Sequence, residues 1–177
     1  MSASAETGMK NPLNVIAAIG LALGGLFGML GTMVAARNLQ SAFWAIDGVG
    51  VVVGTTLLAL KLFRKGSDVV AAGFLVFTIG ESVMLAGTAT TLAESVPTFA
   101  AGTALWSAGL LLTSAPREFA TWIRGVGLIA TALFAVTSGT IFWGAQTLPT
   151  ARPLPLFAYP FLVLTFIGWI WTLLKSA

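Results

Sequence analysis

Residues 74–91 read FLVFTIGESVMLAGTATT. At 1.5 Å per helical residue this run reaches most of the way across a hydrocarbon core of about 30 Å. It is apolar throughout except at Glu81, near its middle, and at a set of hydroxyls. Inserting a carboxylate into lipid costs about 2.5 to 3.5 kcal/mol on insertion scales, so Glu81 must be paired, watered or protonated. At helical spacing Thr78, Glu81, Ser82 and Thr88 fall on or beside one stripe, with Leu85 between them. The stretch therefore predicts a transmembrane helix whose polar face turns toward other helices or a cavity.

Composition extends that reading to the whole chain. Of its residues 57% are hydrophobic and only 8% charged, and the mean hydropathy is +0.95. Soluble domains carry roughly 25% charged residues. An all-α, polytopic integral membrane protein is expected, with the lipid bilayer as its first partner. The 177 residues suffice for six spans with short loops, forming a single transmembrane domain. There is no cysteine and no histidine. Disulfides, thiolate catalysis and the common haem, zinc and copper ligands are thereby removed, and no metal or other cofactor is expected.

Taken in order, the spans are expected at about 13–36, 42–63, 69–93, 98–114, 119–143 and 156–174. The first apolar run is far longer than the roughly 7 to 15 residues of a signal-peptide core, so it reads as a retained span. It carries Gly20, Gly24 and Gly28 at a repeat of four, a small-residue face on which another backbone can lie closely. That neighbour is either a helix of the same chain or, through dimerisation, a second copy. Arg37 to Ser41 reads as a turn, and Asp47 is expected to pair with Arg37 across it near the surface. Ser67 or Asp68 offers an N-cap to the third span, and Pro97, Pro116 and Glu118 suit helix beginnings. Between the last two spans, Pro149, Pro153 and Pro155 favour an extended, stiff segment.

Basic residues set the expected orientation. Lys10, Lys61, Arg64, Lys65, Arg117, Arg124 and Lys175 share one side of a six-span chain, against Arg37 and Arg152 on the other. This bias places both termini in the cytoplasm of a cell-membrane protein. The net charge of +3 then reports topology, and no nucleic-acid partner is expected. Trp44 and Trp143 fall near the outer interface and Trp122, Trp169 and Trp171 near the inner one, whereas Trp106 is expected to pack inside.

Two short matches suggest a 3+3 inverted repeat. Gly48-Val49-Gly50 recurs as Gly125-Val126-Gly127, and Phe74-Leu75-Val76 with Thr78 recurs as Phe161-Leu162-Val163 with Thr165. Such repeats are common in transporters and channels.

No Ser-His-Asp set, HExxH, phosphate loop or close carboxylate pair is present, so no catalytic residues are assigned and no enzyme is expected. The estimated depths of Asp47 and Glu81 differ by several Å, which argues against an acid–base pair. The chain also lacks the Asn-Pro-Ala pair of aquaporins. Two function classes remain. One is a small transporter, channel or membrane ligand-binding protein, with Glu81, Asp47, Thr78, Ser82 and Thr88 as the ligand- or proton-binding residues. The other is a non-catalytic accessory or structural subunit, a homo-oligomer or part of a larger membrane complex, associating through Gly20, Gly24 and Gly28. In that second class Glu81 would tie its helix to Ser107, Thr137 or Ser138.

Overall fold

The computed structural model describes residues 11–175, and these form six helices without strands: α1 Pro12–Met33, α2 Arg37–Arg64, α3 Asp68–Gly87, α4 Val96–Ser114, α5 Thr121–Phe142 and α6 Tyr159–Lys175. Lys10 lies outside the described residues. The first five helices are long and apolar enough to cross a membrane, and the 17-residue α6 is a shorter apolar helix. Large apolar side chains point outward all around the molecule, among them Ile19, Leu26, Val49, Ile79, Val136 and Ile167. An outer surface so continuously apolar suits lipid and not water.

Each helix packs against its two neighbours in sequence, and α6 returns to α1, so the six close into a ring. Two seams bring backbones into near contact. A Cβ built on Gly20 of α1 would lie 2.5 Å from the Gly50 carbonyl oxygen of α2. Between α3 and α4, a Cβ on Gly73 would lie 3.0 Å from Gly109 O and one on Gly80 2.9 Å from Gly102 O. Glycine is required at such crossings because any side chain would hold the helices apart. The glycine face of α1 is therefore filled by α2 of the same chain.

A two-fold axis in the membrane plane reverses the sense in which helices wind. A ring that runs from α1 to α6 in one sense consequently gives the inverted repeat no support. The two Gly-Val-Gly tripeptides also sit in unlike places: Gly48 faces Leu85 and Glu81, whereas a Cβ on Gly125 would meet nothing within 4 Å.

Several boundaries depart from expectation for local reasons. The helix α2 begins at Arg37, so the expected turn is its first helical turn, and the chain reverses within residues 34–36. The Gln40 amide makes this reversal feasible by donating to Gly31 O at 3.1 Å and Val34 O at 3.5 Å, two carbonyls at the end of α1. The helix α3 stops at Gly87, six residues early, because the Thr88 and Thr90 hydroxyls take the Leu85 and Gly87 carbonyls. Thr91 and Glu94 then close a turn by reciprocal hydrogen bonds.

At the face holding the amino terminus of α1, Asn11 caps that helix by accepting from Leu13 N. Ser67 does not cap α3. Its hydroxyl donates to Glu118, which also takes Lys65 at 2.8 Å, so two turns are clasped together. These hydrogen bonds, that from Lys65 foremost, hold the Glu118 carboxyl below the usual carboxylate range. The helix α5 starts at Thr121, not at Pro116 or Glu118, and Arg124 reaches back to the Ser114 and Ala115 carbonyls at the end of α4. The described residues of the basic set, Lys61, Arg64, Lys65, Arg117, Arg124 and Lys175, lie at or near helix ends of this one face.

The half of the ring nearer that face is filled by rings. Phe77 stacks on Trp106 at 5.3 Å and meets Phe166 and Trp169 edge-on, and Phe74 joins Phe119 and Trp169. Trp169 is thus a core residue, 1% exposed, and not the interfacial anchor its place near the chain end predicts. Trp171, beside Trp122 and under the Lys175 ammonium, does lie at the surface.

Candidate functional site

Toward the opposite face the ring is not filled. A cavity of about 790 Å³, counting its open mouth, lies between α1, α2, α3, α4 and α6. About 80 Å³ of it admits the centre of a water-sized sphere, so the space can hold water. Its floor includes Trp106 and Phe166, the upper members of the aromatic core. The proline segment forms part of its rim. That segment is not extended: Leu156 N, Phe157 N and Ala158 N return to Ala151, Pro153 and Pro155 carbonyls, making compact turns. Tyr159 anchors it by donating its hydroxyl to Pro149 O at 3.0 Å.

Glu81 lines this cavity, 3% exposed. By hydrogen-bond geometry its Oε2 has no partner and neither has Trp106 Nε1, an N–H donor that stands close beside the carboxylate. The hydroxyls expected to satisfy Glu81 are engaged elsewhere. Ser107 donates to Thr131 O at 2.9 Å, Thr137 to Leu133 O and Ser138 to Ala135 O. A buried carboxylate oxygen left unpaired is costly, and the Trp106 indole N–H, water or a ligand in the cavity is what remains to satisfy it.

Asp47 lines the same cavity, and it owes its place to the glycines of α1. A Cβ on Gly28 would stand 2.9 Å from Asp47 Oδ2, and one on Gly24 3.3 Å from Oδ1. Gly24 and Gly28 thus do more than admit a helix, since they leave the hollow in which a carboxylate lies. Asp47 does not pair with Arg37. The guanidinium instead donates to Gln40 Oε1 at 3.1 Å and to the Thr90 carbonyl, and it sits 5.8 Å above the Trp44 ring. Asp47 and Glu81 are close enough to interact electrostatically, and Tyr159 feels both. The separation in depth expected from the sequence does not keep them in different compartments.

Of Thr78, Ser82 and Thr88, only Thr88 lines the cavity, where Thr32, Ser95 and Thr98 join it. Thr78 bonds Phe74 O and meets Thr55 Oγ1 at 2.7 Å, bridging α3 to α2. Ser82 is exposed on the outer surface and bonds Thr78 O. Helical geometry explains the split, because sequence neighbours are rotated by about 100° and Ser82 cannot share the direction of Glu81. The residues that sequence reasoning missed are Trp44, Phe99, Tyr159 and Phe166, aromatic side chains that line the cavity from α2, α4 and α6. Nothing in their local sequence distinguishes them from ordinary core or interfacial rings.

Among the described residues no group of three or more His, Cys, Asp or Glu side chains could hold a metal ion. No protein-family model matches the chain, and no curated protein or solved structure matches it.

Proposed function

We infer that this chain is a small membrane transporter or membrane ligand-binding protein whose site is the cavity shared by Glu81 and Asp47. The observation that carries the reading is Glu81, a buried acid with one carboxylate oxygen unpaired, among the residues lining a space that admits water and opens toward one face. A polar side chain so placed inside a membrane protein, lining a cavity, marks a ligand or ion pathway more readily than a structural tie. The aromatic core closes the opposite end. Access from one side with a sealed floor is one of the two states that alternating access requires. The accessory-subunit reading rested on a free glycine face of α1, and that face is occupied by α2.

We further propose the orientation that the basic residues favour, both termini in the cytoplasm of the cell membrane, so that the cavity opens outward. The absence of native cysteine makes the test direct. Thr88→Cys should react with a membrane-impermeant thiol reagent added outside, as should Thr150→Cys at the rim segment, while Ser82→Cys on the outer surface of α3 should stay unmodified. Equal protection of Thr88→Cys and Ser82→Cys would remove the water-accessible site, and labelling of Thr150→Cys only from inside would reverse the orientation.

A further inference from the structure

The geometry points to a compact organic cation, an amine or quaternary ammonium with small alkyl groups, as the ligand that occupies the cavity between Asp47, Glu81 and the surrounding rings. This rests on the reading of the cavity as a binding site and names its substrate class.

Charge decides the sign. Two carboxylates line the space, and Arg37, the cation at its rim, is committed to Gln40, Thr90 and Trp44. An anion would meet two carboxylates against a single guanidinium that is already hydrogen-bonded at the rim, and a cation the reverse, so the formal charge of the lining favours a cation. Glu81 lines the space with one carboxylate oxygen unpaired, so its negative charge is not spent on a partner within the protein.

The walls decide the class. A hard inorganic cation such as calcium takes six to eight oxygen ligands, and magnesium a near-ideal octahedron. Here the walls mix five rings, Trp44, Phe99, Trp106, Tyr159 and Phe166, with the hydroxyls of Thr32, Thr88, Ser95 and Thr98, each of which is spent on a nearby backbone carbonyl, so no shell of six oxygen ligands is assembled. Aromatic faces attract weakly hydrated cations, and rings enclosing a carboxylate suit alkylated ammonium groups best. The interior open to a water-sized sphere is only about 80 Å³, below the roughly 300 to 1,000 Å³ of drug-sized sites, which limits the buried part of any ligand to a small headgroup.

Calorimetry on the full chain in nanodiscs, with choline as probe, tests this. The control ligand is the neutral alcohol in which carbon replaces choline's quaternary nitrogen. Choline should bind saturably and at least tenfold more tightly than the alcohol. Glu81→Gln should weaken choline by at least tenfold and the alcohol hardly at all, and Ser82→Ala should change neither. If Glu81→Gln fails to fold, Asp47→Asn carries the same expectation. Equal binding of choline and the alcohol would overturn the cation while leaving the cavity a binding site. No saturable choline binding would also overturn it, and labelling of Thr88→Cys would then show separately whether the cavity is open to solutes.

Discussion

Phe77→Ala is expected to destabilise the folded chain by about 3 to 5 kcal/mol, the range for removing a large buried ring. Phe77 is fully buried and is the ring through which the aromatic core is joined, stacked on Trp106 and edge-on to Phe166 and Trp169. Its truncation would leave a void directly beneath Trp106, on the floor of the cavity. Two consequences follow from one cause. Unfolding in mild detergent should move to markedly lower denaturant, and cysteines placed below the floor should gain reactivity toward reagent added at the cavity side. A variant within about 1 kcal/mol of the parent, with no new reactivity, would mean that the ring interior is not packed as described.

Gly20→Leu is the second large effect. Overpacking a tight site costs typically about 1 to 3 kcal/mol and occasionally more. The upper end is expected here, because the first added carbon already meets a backbone carbonyl, Gly50 O, which cannot swing aside as a side chain could. The seam between α1 and α2 would have to open, and with it the hollow that holds Asp47. Gly125→Ala is the control, since a methyl there meets nothing within 4 Å and alanine favours helix over glycine by about 1 kcal/mol. Comparing the two by thermal unfolding separates contact from propensity. A Gly20→Leu protein that keeps its stability but loses an oligomer would place that face against a second copy and contradict the intramolecular seam.

The class of the molecule was legible in the sequence because hydropathy is a summed property that tertiary context cannot reverse. Glu81 stood out for the same reason, as a charge in a span must be answered by something. The partners that answer it were not legible. Which helix faces which is set by ring closure, and neither the aromatic walls nor the neighbourhood of Asp47 and Glu81 can be derived from one helix at a time. Two errors have simple physical origins. The hydroxyls of α3 do not share one direction: Thr88 lines the cavity with Glu81, whereas Thr78 and Ser82 lie farther round the helix. The end of α3 was read from apolarity alone, although the threonine-rich 88–91 stretch competes for the last helical carbonyls. The glycine repeat of α1 was visible, but its second use, making room for the Asp47 carboxylate, required the position of α2.

The central claim is that the Glu81 carboxyl meets a ligand in the cavity, and infrared difference spectroscopy of the reconstituted chain reads that group itself. The Glu81 carboxyl band is assigned by its disappearance in Glu81→Gln. Perfusion with choline should shift that band reversibly, and the neutral alcohol should leave it in place. A Glu81 band that is identical with and without choline, in a protein that unfolds like the parent, would contradict the assignment of this carboxylate to ligand binding.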